Sequence, residues 1–172
     1  MTKEEYIEKY QHLFKDHWAL PEVGDGWIPL IDKLTSMINN KIEDIKKYND
    51  GWLENEVITP EDHETNKKLM ENFKIVQIKE KFGGLRFYVE GTEYKKHKDI
   101  HGWIQFAEIM ANYLCEGCGT NQGLGSTSGW MRTICKPCAV DMGKGEGWMS
   151  KEEQKVLMQM TKEEYNKLNN NK

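Results

Sequence analysis

All four cysteines of the 172-residue chain fall within one stretch, as Cys115, Cys118, Cys135 and Cys138, in the pattern C-x2-C-x16-C-x2-C. Two close pairs are metal-ligand usage rather than a disulfide framework, because each C-x2-C knuckle presents two sulfurs to one ion. The spacing predicts a single structural zinc with tetrahedral thiolate coordination. Gly117 and Gly119 let the first knuckle turn, and Pro137 stiffens the second. Four thiolates leave no open position for water or substrate, so the metal contributes folding energy rather than chemistry. It pins the sixteen residues between the knuckles, GTNQGLGSTSGWMRTI, which are too polar to order themselves. That loop, with Asn121, Ser126, Thr127, Ser128, Trp130 and Arg132, is a candidate recognition surface, and Arg132 is its first candidate contact.

A second centre lies upstream in QIKEKFGGLRFYV. Leu85, Phe87 and Val89 alternate with Arg86, Tyr88 and Glu90, the period of a strand with one buried face. Gly83 and Gly84 supply the turn from a preceding strand over 73–81. An antiparallel hairpin follows, with Lys79, Lys81, Arg86 and Tyr88 on its more polar surface.

Helices flank these two centres. Thr2 and Glu5 form a capping box for a helix to about Asp16. From Trp27, with Pro29 tolerated in the first turn, Ile31, Leu34, Ile38, Ile42 and Ile45 make one core stripe to about Tyr48. Asp99 is the expected cap of a helix that runs to Leu114, packs between the hairpin and the Trp27 helix, and delivers the chain to Cys115. Ser150 and Glu153 form another capping box, for a final helix with Val156, Leu157, Met160 and Leu168; residues 169–172 should fray. The stretch 49–72 has no clean period and reads as an insert or loop with a short helix after Pro60; residues 139–147 read as a flexible linker. The second copy of TKEEY, at Thr161, is too short for a repeat and reflects helix capping.

The expected fold class is therefore α+β: helices on a small antiparallel hairpin or sheet, with a four-cysteine zinc-ribbon-like module. Residues 1–48 and 73–114 form one core domain, 49–72 an insert, 115–138 the metal module, and 139–172 a linker and helix. Five of six tryptophans follow a glycine (Trp27, Trp52, Trp103, Trp130 and Trp148), which points to loop anchors, with Trp130 or Trp27 as the alternative of a stacking platform.

Composition narrows the function. The formal net charge is -4 with Lys and Glu interspersed, so the basic stripe that nucleic-acid binding needs is missing. No apolar run approaches the length of a membrane span, and no signal-like segment follows Met1, so the expected location is a reducing cytoplasm. No P-loop, dinucleotide fingerprint, H-E-x-x-H or G-x-S-x-G occurs, and His12, His17, His63, His97 and His101 have no ligand or triad spacing. With all cysteines on the metal, binding is favoured over catalysis.

The runs GDGWIPLIDKL, VQIKEKFGGLRFYV, CEGCG and GWMRTIC, in this order, resemble a widespread uncharacterised family of bacterial and phage zinc-knuckle proteins. The motifs cover roughly a third to a half of the chain. Members often end the second knuckle in histidine where this chain has Cys138. The insert and the tail after Ala139 depart from the compact pattern. The resemblance implies a phage or prophage accessory role, such as countering host defence, acting in the host cytoplasm. Three functions follow as expectations. The first is sequestration of a small anionic, nucleotide-like ligand by Lys79, Lys81, Arg86, Tyr88, Trp130 and Arg132, since guanidinium forks and aromatic faces suit phosphates and bases. The second is inhibition of a host protein through the zinc loop or the insert. The third is a nucleic-acid-binding ribbon, ranked last on charge. Homo-oligomerisation stays open. The first expectation carries a geometric condition: the Trp130–Arg132 loop must face the Arg86–Tyr88 side of the hairpin.

Overall fold

A computed structural model describes residues 1–160 together with Glu164 and Lys167. Helices and two three-stranded sheets make the chain α+β, as its periodicities require. The expected place of Leu168 in the last helix, the fraying of 169–172 and the second TKEEY lie outside the described residues.

The first sheet is the hairpin, β2 (Lys74–Lys81) and β3 (Gly84–Glu90), joined through Phe82 and Gly83. A two-residue strand in the stretch taken as a loop, β1 (Pro21–Glu22), adds to it in parallel, pairing with Ile78 and Lys79. Leu85 and Phe87 are buried with Ile75 and Ile78, while Arg86 and Tyr88 point to the other, wetter face.

Two helices cover the buried face. The first, α1 (Lys3–Tyr10), is capped by the Thr2–Glu5 box and ends earlier than expected, with a further helical turn over Gln11–Leu13. It buries Tyr6, whose hydroxyl bonds Thr35 Oγ1 at 2.8 Å. The spine is α2 (Ile28–Glu54), at about 1.5 Å per residue a rod of roughly 40 Å. Its whole expected stripe is buried.

Two stretches differ from the sequence expectation. The helix α2 runs past Tyr48 to Glu54, and the helix expected after Pro60 is present but longer, α3 (Pro60–Asn72) with a Thr59–Asp62 capping box, so 49–72 is mostly helical rather than a loop. These segments bury too few apolar residues to show a period: α3 buries only His63 and Leu69. Polar bonds dock them instead. Asn49 donates to the His63 carbonyl at 3.1 Å, Asn66 Nδ2 donates to Asn49 Oδ1 at 2.8 Å, and the His63 ring meets Asp50 at 2.7 Å.

Next comes α4 (Lys98–Ala111), which lies between β3 and α2 as expected and buries Ile100, Ile104, Ala107 and Ala111. Asp99 is not its cap; it sits in the first turn and pairs with Lys41 of α2, while His97 takes the cap position. The helix stops at Ala111, and a turn carries the chain to Cys115.

The second sheet orders β5 (Thr133–Cys135), β4 (Leu124–Thr127) and β6 (Trp148–Ser150). The expected flexible linker 139–147 begins inside α5 (Lys136–Asp141), a helix that starts after Cys135 in the metal module, and it leads through turns into β6. The last described helix, α6 (Lys151–Gln159), has the expected Ser150 cap but buries no residue; Met160 lies just beyond its end.

Candidate metal centre and adjoining cavity

The four cysteine sulfurs lie within 4.8 Å of one another. Cys115 Sγ is 3.6 Å and Cys118 Sγ 3.8 Å from Cys135 Sγ. A disulfide would bring a pair to about 2.05 Å. A tetrahedral ion with metal–sulfur bonds of about 2.3 Å sets neighbouring sulfurs about 3.8 Å apart. The donor set and its spacing therefore fit one thiolate-bound metal. It is the only such cluster of His, Cys, Asp or Glu among the described residues.

The backbone prepares these sulfurs for charge. The Cys135 amide donates to Cys115 Sγ at 3.3 Å. Burial raises the Cys115 pKa, but amides of Cys135, Cys118 and Gly117 outweigh it and bring the thiol down to about 7. Burial first, and the neighbouring sulfurs next, push the Cys138 thiol up. One thiolate thus resists a second beside it, and a divalent cation reverses that preference for all four.

The cluster is locked to the core through the GDGW stretch. Trp27, fully buried, donates its indole N–H to the Leu114 carbonyl at 3.0 Å. The Gly26 amide donates to the Glu116 carbonyl at 2.9 Å. A Cβ on Gly26 would lie 2.3 Å from both the Cys115 oxygen and the Gly119 nitrogen. Backbone meets backbone here with no room for a side chain, which is why glycine precedes this indole. Elsewhere that pattern has other causes: Gly51 and Gly102 lie in helices with open space around them.

Glu116, between the first two cysteines, escaped sequence reasoning because nothing local marks it. It is fully buried; Oε1 accepts the Gly24 amide at 3.0 Å, and Oε2 has no hydrogen bond, with Arg132 Nε at 3.7 Å. Burial pushes its carboxyl above the usual range, and Arg132 opposes that.

This pair decides where Arg132 goes. The Arg132 guanidinium lies over Glu116 and against Met142, beside Lys3, Glu22 and Asp25, while only the backbone of Arg132 approaches the hairpin turn at Gly83. The expected Trp130–Arg132 surface therefore splits, because the buried carboxylate holds the guanidinium on its own side. Trp130 goes the other way: its indole donates to Glu80 Oε2 at 2.8 Å, while Glu80 Oε1 accepts the Gly83 amide. Thr133 Oγ1 donates to the Gly83 carbonyl at 2.7 Å. The metal module thus grips the tip of the hairpin.

Between them opens a cavity of about 400 Å³ lined by Lys79, Glu80, Lys81, Phe82, Gly129, Trp130 and Met131. The pairing of β1 on β2 ends at Glu22 opposite Lys79, which leaves the end of β2 accessible on that side. Of the six expected ligand contacts, Lys79, Lys81 and Trp130 line this cavity. Arg86 and Tyr88 do not: Arg86 faces Lys79 across the hairpin and bonds the Leu85 carbonyl, and Tyr88 lies beneath Lys79 Nζ at 5.7 Å. The loop meets the Glu80–Gly83 end of the hairpin rather than its Arg86–Tyr88 side.

Geometry of this kind defines a metal-knuckle module clamped onto an α+β core. Comparison of the chain with protein-family models, with curated proteins and with solved structures gave no match. Among the described residues, no helix is long and apolar enough to cross a membrane.

Proposed function

We propose that the chain is a zinc-stabilised, non-catalytic binding protein that holds a small anionic, nucleotide-like ligand between the hairpin tip and the Trp130 loop. Zinc is the ion because an all-thiolate tetrahedral set suits it, and four ligands leave no position for a reacting water. The observation that carries the ligand reading is the cavity itself: an exposed indole wall beside two lysines. Glu80, the one acid in it, has both oxygens occupied by the Gly83 and Trp130 N–H groups, so its charge is partly spent and the lysines dominate. An anion on Lys79 and Lys81 with a ring on Trp130 uses both features. Arg132 and Arg86 drop out as direct contacts in this reading. A role for such binding in countering host defence for a phage is supported by the motif resemblance alone.

Elemental analysis of purified protein should give one zinc per chain; less than about half refutes the closed site. Thermal shift of the metallated protein against cyclic, monophosphate and NAD-derived nucleotides tests the ligand. A rise with any member, lost in Lys79→Ala plus Lys81→Ala, supports the reading, and no shift with any member refutes it.

A further inference from the structure

We propose that Phe82 is the second wall of the ligand cavity, and that it and Trp130 form an aromatic clamp for a planar base; this rests on the nucleotide-like reading above. The starting point is a conflict between sequence and backbone. Phe82 and Gly83 form the two-residue turn of the hairpin, and both have positive φ, 55° and 76°. Turns of that type favour Asn, Asp or Gly at both central positions, because a Cβ there crowds the backbone. Phenylalanine at such a position is unusual, and local strain of this kind persists where function maintains it.

Packing does not offset the strain. Phe82 is 76% exposed, outside the buried apolar cluster, and Lys81 Nζ lies 5.4 Å from its ring centre. A large aromatic is thus held at an unfavourable backbone geometry with its face in water. It lines the cavity together with Trp130, 66% exposed, and Met131, 50% exposed. Trp130 is fixed on its side by the Glu80 bond and by Thr127 Oγ1, which donates to its carbonyl at 2.7 Å. The turn fixes Phe82 on the other. Two aromatic residues held from separate elements, with lysines beside them, suit a ring that carries a single anionic group. A nucleoside monophosphate has that chemistry, its base for the clamp and its phosphate for Lys79 and Lys81. The ring also explains why a short polar turn residue, the better choice for folding, does not stand at position 82.

The test measures stability and binding on the same variants, with zinc-loaded protein. Phe82→Asn should fold and raise Tm by about 2–4 °C, since asparagine tolerates positive φ. Titrated with adenosine 5′-monophosphate, the same variant should bind roughly tenfold more weakly than the parent, the loss expected for one stacking partner. Phe82→Tyr keeps the aromatic face and should bind like the parent. Adenosine should depend on Phe82 as the nucleotide does, and inorganic phosphate should not. Equal binding of the nucleotide by parent and Phe82→Asn overturns the clamp and leaves the lysine site standing. A lower Tm in Phe82→Asn shows that the phenyl ring serves the fold, and overturns it too. If the parent binds neither this nucleotide nor any of the wider panel, the binding function fails and the clamp with it.

Discussion

The two halves of this molecule are held together by different physics. The α1–α4 core buries a continuous apolar cluster from Tyr6 to Ala111, with Trp27, Ile38, Leu69 and Ile78 fully enclosed. The cluster in the metal module has five buried members, and two of them, Cys115 and Cys135, belong to the four-cysteine set. A surface that small cannot offset the entropy of ordering residues 115–150, which is the physical case for an ion at the four cysteines. The core carries its own stability, and the module borrows position from it through Gly24, Gly26 and Trp27. The cavity lies across this boundary, with one wall from each half.

The contrast can be broken most severely at the metal. Chelation, or Cys135→Ser, should leave amides of β4, β5 and β6 exchanging as in an unfolded chain while α2 and β2 stay protected. Hydrogen exchange read by mass spectrometry checks this, and a protected module in metal-free protein would overturn the division of labour. Ile38→Ala attacks the other half. It should cost about 2–5 kcal/mol in denaturant unfolding, while the protein that remains folded keeps its full zinc content. A smaller but more revealing change is Gly26→Ala, which forces a methyl between two backbones. It should cost about 1–3 kcal/mol and, unlike the others, loosen both halves together, seen as a parallel loss of thermal stability and of zinc retention. Glu80→Ala unlatches the Trp130 loop and frees the Gly83 amide of the hairpin turn. About 1–2 kcal/mol is expected, with faster exchange confined to residues near 127–133 and the turn amide of Gly83, and the core unchanged.

The mildest effect is electrostatic and belongs to the core alone. Burial opposes ionisation of Asp32, but hydrogen bonds from Lys9 Nζ at 2.9 Å and Tyr10 OH at 3.0 Å outweigh it and hold its carboxyl below the ordinary 3.8. A lowered folded-state pKa means that its stabilisation is complete above the unfolded value and is lost as pH falls through the lowered one. Asp32→Asn should therefore flatten the acid limb of the stability–pH curve and leave zinc content at neutral pH unchanged.

Some of this was legible in the chain and some was not, for physical reasons. The α2 stripe, the hairpin, its buried Leu85 and Phe87, and the thiolate set follow from local spacing, and spacing is written in sequence. In 49–72 only the start of a helix at Pro60 was legible; the extension of α2 to Glu54 and the length of α3 were not, because this part docks by Asn49, His63 and Asn66 rather than by a repeated apolar face. The short strand β6 that follows 139–147 was hidden likewise, because it is made by its partner strand β4 rather than by its own three residues. In the candidate site, Lys79, Lys81 and Trp130 were found from residue type, and Phe82 and Glu116 were missed. Phe82 looks like a core residue until its φ is known. Glu116 looks like a surface acid until the GDG turn closes over it.

By itself, then, the sequence determined which four cysteines could share a metal, that β2 and β3 form a hairpin, and which helix is the spine. These are decided by chemistry between residues close in the chain or repeated at a fixed period. Only the tertiary structure decided how the module sits. A buried carboxylate turned Arg132 away from the hairpin, and an indole hydrogen bond turned Trp130 toward it. Both choices depend on partners about sixteen and fifty positions distant in the chain, and no local pattern of residues can encode a contact made at that range.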